Sequence, residues 1–408
     1  MKVTNLNVKN VDIPVVFESS KSLAVASLKL IFKVAGACEN KTAGLARLAA
    51  NMLNEGTKSK GSIVFARELE TRAINLEVSA GYETLAIDIN CLKEYFNFAL
   101  DKLAELLAEP NLTKESLDKC KITTFGEISN LANDNDYVAR CGLYELLYKG
   151  TNLAMPNIGT KESIEVISLN DIKEFLSSHM DLGNLFIVFG GDVNENDLWL
   201  LKDALNLLEV GKKRELEILT TSDKCEKKFI TKQSEQAYVY FGAPFNVIQD
   251  ERFKANVAMF ILGESGFGSR IMEEIRVKRG LAYSAYARGV YNLSSTQVYG
   301  YLQTKNESKD EAMAVVLSEF DKFIKHGATK NELAQAKKFL LGSLPLRLET
   351  LFRRLGIAEG EFYQGKKLGS FMDELKKIEA LSLKELNDFI ATHDEISKLS
   401  FCVLYDGK

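Results

Sequence analysis

Two stretches of this 408-residue chain repeat each other, and that duplication limits its possible folds more than any other feature. Ser168-Leu-Asn-Asp-Ile-Lys-Glu-Phe-Leu-Ser-Ser-His179 aligns with Ser382-Leu-Lys-Glu-Leu-Asn-Asp-Phe-Ile-Ala-Thr-His393 at an offset of 214 (382 − 168). Thr113-Lys-Glu-Ser-Leu117 aligns with Thr329-Lys-Asn-Glu-Leu333 at an offset of 216 (329 − 113), which sets Lys121 opposite Lys337 and Gly126 opposite Gly342. In both copies an apolar run follows the Ser-to-His phrase, Leu185 to Asp192 and Leu399 to Asp406. A sequence that repeats at this period encodes one structural unit twice. The expected organisation is an N-terminal domain over 1–210, a charged connection over 211–228, and a C-terminal domain over 229–408. The length agrees, because one hydrophobic core seldom serves a chain this long.

The unit mixes strands in hairpins with long helices. Leu85, Ile87, Ile89 and Cys91 alternate with polar or small residues, the period of a half-buried strand, and Gly81 marks a turn from the preceding strand Leu76 to Ala80. A helix follows from about Lys93, with Phe96, Leu100, Leu103 and Leu107 on one stripe. The second copy offers Val298, Gly300 and Leu302 as a strand, then Val316, Phe320, Phe323 and Ile324 as a helix stripe. The predicted class is therefore α+β, with each domain a mostly antiparallel sheet covered by helices.

Composition narrows the function. With 52 Lys and Arg against 56 Asp and Glu the net charge is −4, which disfavours a nucleic-acid partner. No run approaches the ~18 apolar residues of a membrane helix, so no membrane partner is expected. No cationic start and apolar run opens the chain, so a cytoplasmic location is the expectation, or a periplasmic one if a signal was removed. The six cysteines form no CxxC pair. His179, His326 and His393 lie far apart, each at the end of a helical pattern, where a cation complements the helix dipole.

Two segments carry possible chemistry. Gly44-Leu-Ala-Arg-Leu-Ala-Ala-Asn-Met-Leu-Asn-Glu-Gly-Thr57 reads as a helix, capped by Thr42 and ended by Gly56, with Leu45, Leu48, Met52 and Leu53 on its apolar side. By periodicity alone it is a core helix. Gly263-Glu-Ser-Gly-Phe-Gly-Ser-Arg-Ile-Met-Glu-Glu-Ile-Arg-Val-Lys-Arg279-Gly-Leu-Ala-Tyr283 opens with a glycine-rich loop, but no Gly-Lys-Ser/Thr follows to cradle a phosphate.

Both segments resemble signatures of the M16 metallopeptidases, the pitrilysin and mitochondrial processing peptidase group. The resemblance implies the LuxS/MPP-like metallohydrolase fold. In that family the first helix carries H-x-x-E-H, in which two imidazoles on one helix face grip zinc and the glutamate acts on its water. Here those positions hold Arg47, Ala50 and Asn51. The position of the family's third ligand falls on Glu127, and an ion pair between Arg47 and Glu127 is expected where the metal would sit. The second segment matches the family phrase ending R-G-L-A-Y, whose arginine and tyrosine engage peptide backbone and developing oxyanion. The matching residues are Arg279 and Tyr283. The phrase Gly159-Thr-Lys-Glu-Ser-Ile164 and the strand ending Gly191-Asp-Val193 extend the match along the chain.

The resemblance implies a non-catalytic subunit that binds no metal itself and supplies Arg279 and Tyr283 to a zinc-bearing M16 partner, the two closing on an unfolded peptide. A purely structural subunit, or a self-associating peptide binder without proteolysis, is the alternative.

Overall fold

The computed structural model describes residues 1–407. The chain forms two compact units, and neither is a contiguous half. One comprises 1–129, 156–217 and 347–370; the other comprises 130–155, 218–346 and the chain from Phe371 onward. The crossing between Glu217 and Ile218 falls inside the expected 211–228 connection, but two further segments change sides. This corrects the expected boundaries of 1–210 and 229–408.

The first unit holds a six-stranded sheet of β1 (Lys2–Val8), β2 (Val11–Ser19), β3 (Val25–Lys33), β4 (Asn75–Ala80), β5 (Thr84–Leu92) and β6 (Leu185–Gly191). Its order is β1-β2-β6-β3-β5-β4. The second unit holds β7 (Lys227–Thr231), β8 (Gln236–Pro244), β9 (Ala282–Tyr291), β10 (Thr296–Lys305) and β11 (Ser400–Tyr405), in the order β7-β11-β8-β10-β9. Dropping β1 superimposes the two orders, strand for strand. Each sheet is antiparallel apart from one parallel pair, β2 with β6 and β7 with β11. The duplication read from the sequence is thus a duplication of topology.

The repeated Ser-to-His phrase is a helix in both copies, Leu169–His179 and Leu383–Thr392. Both begin with a capping box: Ser168 accepts from the Asp171 amide, and Ser382 accepts from the Glu385 amide. The strand that follows, β6 or β11, lies inside its sheet and is buried on both faces. That is why each reads as an unbroken apolar run rather than an alternating one.

In the first unit Leu28, Leu30, Phe32, Ile187 and Phe189 face a core built with the Leu45–Leu53 and Phe96–Ala108 helices. Val16, Ile31, Ala86, Phe186 and Val188 face the other way, onto Leu351, Leu355 and Ala358 of the Leu351–Tyr363 helix. That helix is held at its rim by Lys29 to Glu359, by Arg354 to Glu18, and by the Tyr363 hydroxyl donating to Glu83 at 2.7 Å. In the second unit the Asn135–Leu147 helix plays the same part on β8 and β11. The Tyr240 hydroxyl donates to Asp136 at 2.9 Å, and Lys228 pairs with Glu145.

Lys102 is buried among the helices of the first unit, with its ammonium on Glu68 and Glu105, and Lys60 shares both carboxylates. The two ammonium groups, Lys102 foremost, hold Glu68 down from 4.5 to about 2, and Glu105 is lowered as well. A carboxylate depressed in the folded state stabilises above its unfolded pKa and loses that contribution as pH falls through the folded one. Thermal melts should therefore show the wild type losing stability between pH 4.5 and about 2, with a flatter acid limb in Lys102→Met.

Candidate functional site

The Leu45–Leu53 helix starts at Gly44, not at a Thr42 cap. Gly44 has φ +90°, and a Cβ there would lie 2.8 Å from the Ile158 carbonyl oxygen, so glycine is required twice over. The side chain that serves this helix start is Asn40, whose Oδ1 accepts from the Ala46 amide at 2.8 Å. Leu45, Leu48, Met52 and Leu53 are buried, as the periodicity requires, and so is Ala50. Arg47 and Asn51, four residues apart, share the opposite, half-exposed side.

Glu127 stands on the Lys114–Asn133 helix, and Arg47 Nη2 lies 2.9 Å from its Oε2. The expected ion pair is formed. With side-chain exposures of 38% and 41% it contributes at most about 1 kcal/mol, so its significance is not stability. Its effect is to place a permanent cation where a metal would need donors. A guanidinium repels a dication, a methyl group offers nothing, and one amide with one carboxylate falls short of a zinc ligand set. Among the described residues no group of three or more His, Cys, Asp and Glu is arranged to hold a metal ion. The residues present do not fit zinc.

In the second unit the Arg252–Met259 helix widens into a π-turn over Phe260–Glu264. The glycine-rich loop follows, Ser269 caps a short helical turn, and a second π-turn spans Glu273–Val277. Gly263 is pinned by close approach to the β9 backbone at Ala287. In a π-turn residues five apart meet, and the Lys278 amide bonds to the Glu273 carbonyl at 3.0 Å. The same spacing brings Arg279 onto Glu274, where Nη1 donates to the backbone carbonyl at 3.0 Å and to the carboxylate. Glu274 is held below its ordinary pKa by Lys278 and then Arg279.

Tyr283, at the start of β9, is 81% exposed. Its neighbour is Arg276, whose guanidinium carbon lies 4.3 Å from the Tyr283 ring centroid and 4.5 Å from that of the exposed Phe267. Arg276 stacks on Tyr283, while Arg279 is paired with Glu274. Both arginines lie in one short phrase, and only the widened turn separates their roles. The exposed Phe267 inside the glycine-rich loop was the signal that could have pointed to a stacking cation.

Residues 14–161 match the family described as Insulinase (Peptidase family M16), and residues 167–340 match Peptidase M16 inactive domain. The chain is 41% identical over 410 residues to the Non-peptidase homolog YmxG of Helicobacter pylori, covering 100% of this chain and 95% of that relative. The chain belongs to the M16 family.

A second M16 relative, named an uncharacterized zinc protease YmxG in Bacillus subtilis, is 24% identical and covers 84% of each chain. Among solved structures, a peptidase M16 inactive domain from Pseudomonas fluorescens superimposes with TM-score 0.91 at 22% identity, over 99% of this chain and 98% of that one. A subunit of Complex III2 from Candida albicans follows the same fold at TM-score 0.79 and 18% identity, over 99% and 95%. The M16 family matches cover 14–161 and 167–340, which take in both copies of the Thr113 and Thr329 phrase and the first copy of the Ser-to-His phrase. They include the helix that would carry the zinc motif and the loop leading to Tyr283.

Proposed function

We propose that this chain is the non-catalytic member of a two-chain M16 assembly, binding and orienting an unfolded peptide for a zinc-bearing partner. One contrast carries the reading. The place of the metal is taken by the Arg47–Glu127 pair, yet Tyr283 stays exposed beside a stacked cation. A phenol this exposed suits donation to a peptide carbonyl or its oxyanion once a second chain covers it. Arg276 sets a guanidinium beside the ring. Arg279 is placed to hold the turn through Glu274 and reaches the peptide only if that pair opens. The name of the H. pylori relative, a non-peptidase homolog, supports the absence of cleavage by this chain alone.

The test is reconstitution. The purified chain is expected to contain no stoichiometric zinc and to cleave no unfolded peptide; with an M16 subunit bearing an intact H-x-x-E-H, cleavage appears. In the pair, Tyr283→Phe lowers kcat by about a hundredfold to a thousandfold, the range for loss of one oxyanion donor. Hydrolysis by the isolated chain would end the proposal. A silent Tyr283→Phe in an otherwise active pair would favour a purely structural subunit, a reading for which the fold shared with the Complex III2 subunit speaks.

A further inference from the structure

The outward face of the second unit's sheet carries a cluster of tyrosines, with Tyr240 and Tyr299 buried beside the Asn135–Leu147 helix and Tyr286 and Tyr301 half-buried at its open side. Tyr301 on β10 stands in register between Tyr240 on β8 and Tyr286 on β9, with ring centroids 4.7 and 5.8 Å away. Tyr299, one row along, lies 5.8 Å from Tyr240 and 6.3 Å from Tyr144 of the Asn135–Leu147 helix. The one carboxylate in this group, Asp136, already accepts from the Tyr240 hydroxyl. Burial, with Tyr299 and Asp136 adding to it, pushes the Tyr240 phenol up, so it remains a donor.

Two exposed arginines flank the cluster. The Arg288 guanidinium lies 5.5 Å from the Tyr299 ring and 6.0 Å from the Tyr286 ring, and Arg140 lies 5.5 Å from the Tyr137 ring. Both charges bear on the Tyr144 phenol. Among the described residues neither arginine is paired with a carboxylate, unlike Arg47 and Arg279.

We infer that the open side of this tyrosine cluster is a binding surface for an extended acidic peptide, whose carboxylates pair with the exposed Arg140 and Arg288 while its backbone and apolar side chains lie on the half-buried Tyr286 and Tyr301. The charge argument selects the ligand: two unneutralised guanidiniums suit carboxylates, which they grip through parallel donors. Tyrosine and arginine together are the composition of binding hot spots, because rigid rings bury area at little entropic cost. Stacked rings with cations also suit single-stranded nucleic acid, but that needs a long basic track, and here two cations stand in a chain of net charge −4. The surface is distinct from the Tyr283 site, and its use requires neither a partner subunit nor cleavage.

The experiment uses the full chain alone and fluorescence anisotropy. The probes are a labelled peptide of alternating Glu and Leu, its Lys and Leu counterpart, and an oligothymidylate. The acidic peptide is expected to bind saturably and more weakly as salt rises, and the basic one not to bind. Arg140→Glu with Arg288→Glu should weaken binding by about tenfold or more, while the two Lys replacements retain part of it. Both positions are exposed, so unchanged melting curves certify the variants' fold. Equal binding by the charge-reversed variant, equal binding of both peptides, no saturable binding, or tighter binding of the oligothymidylate would each overturn the inference.

Discussion

Cutting the chain between Glu217 and Ile218 is expected to leave neither piece with a stable fold. Without the Leu351–Tyr363 helix, the fragment 1–217 exposes Val16, Ile31, Ala86, Phe186 and Val188 on the second face of its sheet. Without the Asn135–Leu147 helix, the remaining fragment exposes the outer sides of β8 and β11, including Cys402. Burying one large apolar side chain is worth about 1.5–3 kcal/mol, and a whole domain is stable by only about 5–15 kcal/mol. Losing a face of several such side chains therefore removes most of the margin. Expressed singly, both fragments should be insoluble or bind a hydrophobic dye with no near-ultraviolet circular dichroism. Co-expressed, they should co-purify and regain it. A soluble, cooperatively melting 1–217 fragment would show that the Leu351–Tyr363 helix is dispensable.

Gly142→Val is expected to destabilise the second unit by about 1–3 kcal/mol or more, the usual cost of overfilling a packed contact. Gly142 sits mid-helix, where glycine is otherwise unfavourable by roughly 1 kcal/mol relative to alanine. It is tolerated because any Cβ there runs into the Cys402 sulfur, with Ile230 Cδ1 3.3 Å away. The contact predicts a change of sign. Gly142→Ala should lower the melting temperature in the native background. In Cys402→Ala the same change should be neutral or stabilising by up to about 1 kcal/mol, since the sulfur is gone and the helix propensity remains. Additive effects in this double-mutant cycle would mean the helix does not press on β11 at this point.

Much of the fold was legible because it rests on local rules. The two capping boxes at Ser168 and Ser382, the hairpin at Gly81 and the stripe from Phe96 to Leu103 are each specified within a few residues. The family could be read from Gly44 to Thr57 and from Gly263 to Tyr283, where glycines needed for close backbone approach sit at set spacings. The degenerate site was legible for a similar reason: a helix puts positions 47 and 51 on one side whatever the side chains are. The pairing of Arg279 with Glu274 and of Arg276 with Tyr283 was not legible, because α-helical spacing does not apply inside a π-turn and no residue type announces one.

The sequence alone showed an unbroken apolar run after each copy of the Ser-to-His phrase, the pattern of a strand covered on both faces, and β6 and β11 are buried on both faces. It also determined that positions 47, 50 and 51 offer no ligands to a metal. Which element covers the second face was decided only in three dimensions. Each half lends a helix to the other's sheet, and the attraction of one apolar surface for another carries no address along the chain. The same holds for Arg47 with Glu127 and for Arg276 with Tyr283: the residue types permit the contacts, and the packing of their helices and turns selects them.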